Sequence, residues 1–135
     1  MTSSERGAIY AAAIGGGRTP EPVRAQIFVR DHTCGSVPLH PGVPCSDTPI
    51  PVYVQRLVRK LLGTRVQFSD HPPNPSGSGD PTVIVFGDLR VTGHRATLGM
   101  ELLCGPLRGN GRTLVLTRRA GQWQVTGSTG PEWIS

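Results

Sequence analysis

Apolar residues recur along this chain in two periods, and the change from one to the other divides it. Near the N-terminus Ala8, Ile9, Ala11, Ala12 and Ala13 crowd one short window that Gly15-Gly16-Gly17 closes. That pattern predicts a helix over residues 4–14, followed by a breaker-rich linker to Pro22. Residues 25–30, Ala-Gln-Ile-Phe-Val-Arg, are β-branched and aromatic and read as a strand. Ile50, Val54, Leu57, Val58 and Leu61 then fall at i, i+4, i+7, i+8 and i+11, one face of a helix. Thr48 suits its N-cap, Pro49 its first turn and Gly63 its C′ position. Gln55, Arg56, Arg59 and Lys60 lie on the other side, with bases in the last turns where the macrodipole favours cations.

Past Gly63 the period drops to two. Residues 64–69 read as a strand, and 71–81, with Pro-Pro, Asn-Pro and Ser-Gly-Ser-Gly, as a loop. Residues 83–86 form a short strand, and 95–103 alternate Ala96, Leu98, Met100 and Leu102 on one face. Gly105 to Gly111 reads as a turn, 112–119 points Leu114 and Leu116 inward, and Ala120-Gly121 turns the chain. Residues 122–126 place Trp123 and Val125 on one side. Alternation with polar partners implies one solvated sheet face. The expected class is therefore α+β: one or two helices packed on a curved, mainly antiparallel sheet of five to six strands. Residues 1–24 form an N-terminal helix and linker, and residues 25–135 the single domain.

Size and composition narrow the class further. The 135 residues amount to one domain. No apolar run approaches the roughly 18 residues that span a membrane, and no repeat suggests a coiled coil or solenoid. Fourteen basic residues against nine acidic ones give +5, the sign of a nucleic-acid or anionic-surface binder. Thirteen of those bases are Arg, a skew that a GC-rich genome produces whatever the function, and most are scattered. Only Arg56, Arg59, Lys60 and Arg65 cluster, and aromatics for stacking on bases are few. A solvated helix face explains that cluster more simply than a binding patch.

Cys34 and Cys45 flank a Pro/Gly-rich loop that a disulfide would close in an oxidising compartment, leaving Cys104 over. The apolar piece at 7–14 is too short and too poorly flanked for a signal peptide. The chain as given is thus read as cytoplasmic, with ordinary thiols. An export signal upstream would make it secreted or lipid-anchored.

The last third carries a resemblance. Cys104-Gly105, Gly109 and Gly111, Leu114-Val115-Leu116, Gly121-Gln122-Trp123 and Trp133-Ile134-Ser135 resemble the C-terminal part of small bacterial proteins, many secreted or lipid-anchored. The return hairpin is also similar to the closing strands of nuclear-transport-factor-like, cystatin-related α+β domains. The resemblance covers roughly residues 90–135 and implies a fold type without assigning chemistry. A single Cys in the turn and the lack of a visible export signal depart from the pattern.

Several constellations could carry chemistry. Asp31-His32 and Asp70-His71 each follow an expected strand. If the intervening helix is a crossover, the strands are parallel and both pairs emerge at one sheet edge. A His oriented by a carboxylate is the unit of general acid/base work. Loop-starting Asp and His residues produce such pairs by chance as well. Asp88, His94 and Glu101 lie on or between the later strands, where nuclear-transport-factor-like enzymes place an acid or base. Asp88 and His94 read equally as turn residues beside Gly87 and Gly93. His32, Cys34, His40 and Cys45 are permissible zinc ligands but lack Cys-x2–4-Cys spacing, so no metal is expected. Gly15-Gly16-Gly17-Arg18-Thr19 lacks the strand and Lys of a phosphate loop, and Gly77-Ser78-Gly79 is no nucleophile elbow. Cys34 and Cys104 have no base nearby in sequence.

Three readings follow. The leading one is a small non-catalytic binding or interaction domain without cofactor, whose small-molecule or protein partner engages the sheet or the 31–49 loop, and which pairs through the sheet as a homodimer. The alternative is a small pocket enzyme, a hydrolase or isomerase, using an Asp–His pair. Nucleic-acid binding through Arg56, Arg59 and Lys60 comes third.

Overall fold

The computed structural model describes residues 2–16, 22–34, 48–73, 82–105 and 108–134. Two helices lie on one face of a six-stranded mixed sheet, an α+β arrangement. The elements are α1 (Ser3–Ile14), β1 (Ile27–Arg30), β2 (His32–Thr33), β3 (Thr48–Pro49), α2 (Val52–Leu62), β4 (Val66–Ser69), β5 (Thr82–Thr92), β6 (Arg95–Gly105), β7 (Arg108–Arg119) and β8 (Gln122–Ile134). The sheet order is β4-β1-β5-β6-β7-β8, and β2 pairs with β3 as a separate ribbon. Strand β1 runs parallel to both β4 and β5, and the remaining pairs are antiparallel.

Helix α1 opens on a capping sequence, Thr2-Ser3-Ser4-Glu5. The Thr2 hydroxyl accepts from the Glu5 amide at 3.1 Å, satisfying one orphan donor of the first turn. Ile9, Tyr10 and Ala11 are fully buried on it. Tyr10 stacks on Phe86 of β5 with ring centroids 4.6 Å apart, a contact that adds to simple area burial. Burial raises the Tyr10 phenol above its usual pKa, although Arg6 donates to its oxygen at 3.1–3.2 Å. This helix therefore belongs to the same core as the rest of the chain.

Helix α2 begins later than its pattern suggests. Thr48 and Pro49 pair with Thr33 and His32, and the Ile50 amide donates to the Asp31 carbonyl at 2.8 Å. Proline follows both Thr48 and Ile50 and holds each in an extended conformation, so Pro51, not Thr48, is the N-cap. Val54, Val58 and Leu62 are buried, with Ile50 beside them, while Leu57 and Leu61 are half-buried. Gly63, at φ 93°, ends the helix as expected.

The meander strands are longer than their alternation alone implied. A bulge at Gly87-Asp88 keeps Phe86 and Leu89 opposite Met100 and Leu98, so both face the helices. Within the expected turn at 105–111, Gly105 still belongs to β6 and residues 108–111 already belong to β7. Strand β8 continues through Gly127, Gly130 and Pro131 to Ile134. It is an edge strand, which is where a ladder tolerates a proline such as Pro131.

Candidate functional site

Three places gather polar side chains. The first is the edge at which the parallel strands end. Register pairs Arg30 with Ser69, and the Asp31 amide donates to the Ser69 carbonyl at 3.0 Å. The two Asp-His dipeptides therefore leave the sheet side by side, as a crossover through α2 requires. Their states differ. Asp31 Oδ1 lies 2.6 Å from His32 Nδ1, with both side chains about two-thirds covered. Asp70 and His71 are 3.8 Å apart, and the His71 side chain is 91% exposed. Asp31 orients its own neighbour, Asp70 is too far from His71 to do so, and among the described residues no hydrogen bond joins the two pairs.

Cys34 follows directly on this edge. Its amide donates to the Phe86 carbonyl at 2.7 Å, Arg30 reaches its sulfur at 3.5 Å, and it is disulfide-bonded. The expectation of an ordinary thiol is thereby corrected, and Cys34 is no nucleophile. His40, Cys45 and residues 77–79 lie outside the described residues, as does most of the glycine run at 15–19. Among the described residues no three His, Cys, Asp or Glu side chains gather as metal ligands. No helix among them is long and apolar enough to cross a membrane.

The second place is the tip of the β5–β6 hairpin. His94 Nδ1 receives Arg118 at 3.0 Å and 3.3 Å, and the Arg118 amide donates to the His94 carbonyl. Arg118 also reaches Glu5 of α1 at 3.5 Å and lies 5.8 Å over Trp123. His94 thus anchors the arginine that ties the meander to the first helix. Asp88 is exposed on its bulge, far along the strand from His94, so the two do not form one acid/base unit. Glu101 faces away from the helices, between Val85 and Gly111, and burial raises its carboxyl above the ordinary range.

The third place is basic. Arg56, Arg59 and Lys60 are exposed on α2, which carries no acidic residue. Beyond Gly63 the chain is zipped to the segment before β1. The Val23 amide donates to Leu62 at 2.8 Å, and the Ile27 amide and Gln26 side chain both donate to the Arg65 carbonyl at 2.9 Å. Those bonds bring the main chain at Arg24 alongside that at Arg65. With Pro22 and Val23 the two arginines line an open cleft of about 470 Å³.

Against family models, curated proteins and solved structures, the chain has no match. Among the described residues, Arg24, Arg56, Arg59, Lys60 and Arg65 have no ion pair. Arg24 is the member that sequence reasoning missed. It lies 41 positions before Arg65, and the two come together through the bonds that zip the segment before β1 to the start of β4.

Proposed function

We propose that the protein is a non-catalytic binding module that recognises an anionic partner through the surface running from α2 to the Arg24–Arg65 cleft. The observation that carries this reading is that Arg24 and Arg65 line one cleft, with three further unpaired bases exposed on α2, the helix that leads to Arg65 through Gly63. Unpaired cations side by side repel one another, and an anion seated between them relieves that repulsion while gaining charge-assisted hydrogen bonds. A solvated helix face accounts for Arg56, Arg59 and Lys60. It does not account for the main-chain zipper that presents Arg24 beside Arg65.

The disulfide at Cys34 supports work in an oxidising compartment. Its partner is inferred to be Cys45. Cys34 is bonded to Phe86 on the β1 side of β5, whereas Cys104 follows Leu103, the partner of Val83 on the opposite side. At about 3.3 Å per residue and 4.8 Å per strand, Cys104 is well beyond the roughly 7 Å Cα separation a disulfide permits.

The test is fluorescence anisotropy with labelled heparin and a labelled single-stranded oligonucleotide over a range of salt concentrations. Affinity should fall steeply with salt, and neutralising Arg56, Arg59 and Lys60 to Gln should flatten that slope by about two to three counterions. Salt-insensitive binding, or no retention of either polyanion, rejects the reading. A second reading rests on the 2.6 Å Asp31–His32 contact, which is the geometry of an oriented general base. It predicts turnover of activated esters that His32→Gln abolishes. Absence of turnover in the parent removes that hydrolase form.

A further inference from the structure

The sheet face turned away from the helices carries a second basic feature, remote in sequence from the first. On β5 and β6 the inward positions are Leu89, Val91, Ala96 and Leu98. Strand alternation turns Arg90, Thr92, Arg95 and Thr97 to the other face. Register pairs Arg90 with Thr97 and Thr92 with Arg95. The four side chains therefore stand as a square, arginines at one pair of opposite corners and threonines at the other. Diagonal neighbours on a sheet lie about 7–8 Å apart, within reach of long side chains. These residues line an open cleft of about 400 Å³. Neither arginine has an ion pair among the described residues. The nearest acid along β5 is Asp88 in the bulge, which makes none with Arg90.

The surroundings indicate what the cleft would take. Arg95 pairs with Thr117 of β7, which pairs with Gln124 of β8. The Thr117 and Thr126 hydroxyls lie 2.9 Å apart. A strip of hydroxyl and amide groups thus crosses three further side chains from the arginine square, and Trp123, the nearby aromatic, is buried on the opposite face. Single-stranded nucleic acid relies on exposed aromatic platforms, which this strip lacks. Two guanidinium groups and two hydroxyls suit a tetrahedral oxyanion, and the polar strip suits the hydroxyls of a sugar chain.

We propose that the Arg90–Thr92–Arg95–Thr97 square binds the sulfate or phosphate ester of a glycan, as a site separate from the α2 surface.

Calorimetric titration with a sulfated tetrasaccharide, too short to bridge both surfaces, tests this. In an Arg56→Gln/Arg59→Gln/Lys60→Gln background, where the α2 surface no longer competes for the sugar, adding Arg90→Gln/Arg95→Gln should weaken the remaining binding at least tenfold. Asp88→Asn should tighten it severalfold by removing the nearby negative charge. All these positions except the half-buried Thr97 are exposed, so thermal midpoints should match the parent and report intact folding. Affinity left unchanged by the added Arg90/Arg95 substitutions overturns the site. Equal binding of the desulfated sugar overturns the ester, and equal Arg90/Arg95-dependent binding of a tetranucleotide overturns the glycan. Loss of all binding in the α2 background itself would leave the first surface standing and remove this one.

Discussion

The contact between the two helices gives the sharpest test of the packing, through a single methyl group. Gly7 lies inside α1 and faces α2. A Cβ placed there would stand 2.6 Å from Leu57 Cδ2, 3.0 Å from Cγ and 3.2 Å from Cβ. Carbon atoms settle at about 3.5–4.0 Å, so the side chain would have to retreat by about 1 Å. Rotating the end of Leu57 does not suffice, because Cγ and Cβ near its backbone are tight as well. Two effects oppose each other in Gly7→Ala. Alanine gains about 1 kcal/mol of helix propensity, and overpacking costs about 1–3 kcal/mol. The substitution should therefore be neutral to destabilising by about 2 kcal/mol, against the helix scale. In a Leu57→Ala background only the 3.2 Å Cβ contact remains, and the same change should stabilise by up to about 1 kcal/mol. Urea denaturation followed by far-ultraviolet circular dichroism on the four proteins of this cycle measures the coupling. Equal effects of Gly7→Ala in both backgrounds would show that the helices do not meet at this point.

Three further outcomes follow from particular residues. Ala120, at φ 51°, precedes Gly121 at φ 77° in the two-residue β7–β8 turn, a geometry that favours Asn or Gly first. Ala120→Gly should raise stability by roughly 1 kcal/mol, and an unchanged urea midpoint would contradict the turn geometry. Glu101 binds its proton more tightly folded than unfolded, so its contribution is present at low pH and lost as pH rises from 4.5 through the raised value. Glu101→Gln should remove that decline, and a parent-like pH–stability profile in the variant would refute it. Closing the loop between Cys34 and Cys45 should be worth about 3 kcal/mol. Reduction should lower the thermal midpoint, and a non-reducing digest that joins Cys34 to Cys104 instead would overturn the pairing.

The parts of this fold legible in sequence are those whose signal is periodic over many residues. The α2 stripe and the β6–β7–β8 alternation needed no tertiary information, because one face of each is continuously apolar. The misread boundaries are places where a partner outside the local window decides. Residues 48–50 are biased to extend by Pro49 and Pro51, and β2 and Asp31 then fix them by binding their backbone; β8 runs past Gly127 because β7 lies beside it. The capping sequence Thr2-Ser3-Ser4-Glu5 is legible from the residues alone, since a Thr three positions before a Glu matches the capping pattern. Arg24 was not readable: nothing near it in the chain points to Arg65.

The same reasoning separates the two kinds of candidate residue. The Asp-His repetition points to chemistry because the same dipeptide follows two strands, and the parallel β1–β4 pair does bring both copies to one edge. Proximity of main chains is not convergence of side chains, however. One pair is two-thirds covered and close, the other almost wholly in water and 3.8 Å apart, so only Asp31–His32 has the surroundings of a working unit. The arginines make the opposite case. Individually they are ordinary surface residues, and their spacing carries no motif. Sheet register places Arg90 diagonal to Arg95, and main-chain bonds set Arg24 beside Arg65. In both instances it is rigid backbone that holds like charges together, without an ion pair from any described carboxylate. That is the arrangement an anion-binding surface requires before its ligand arrives.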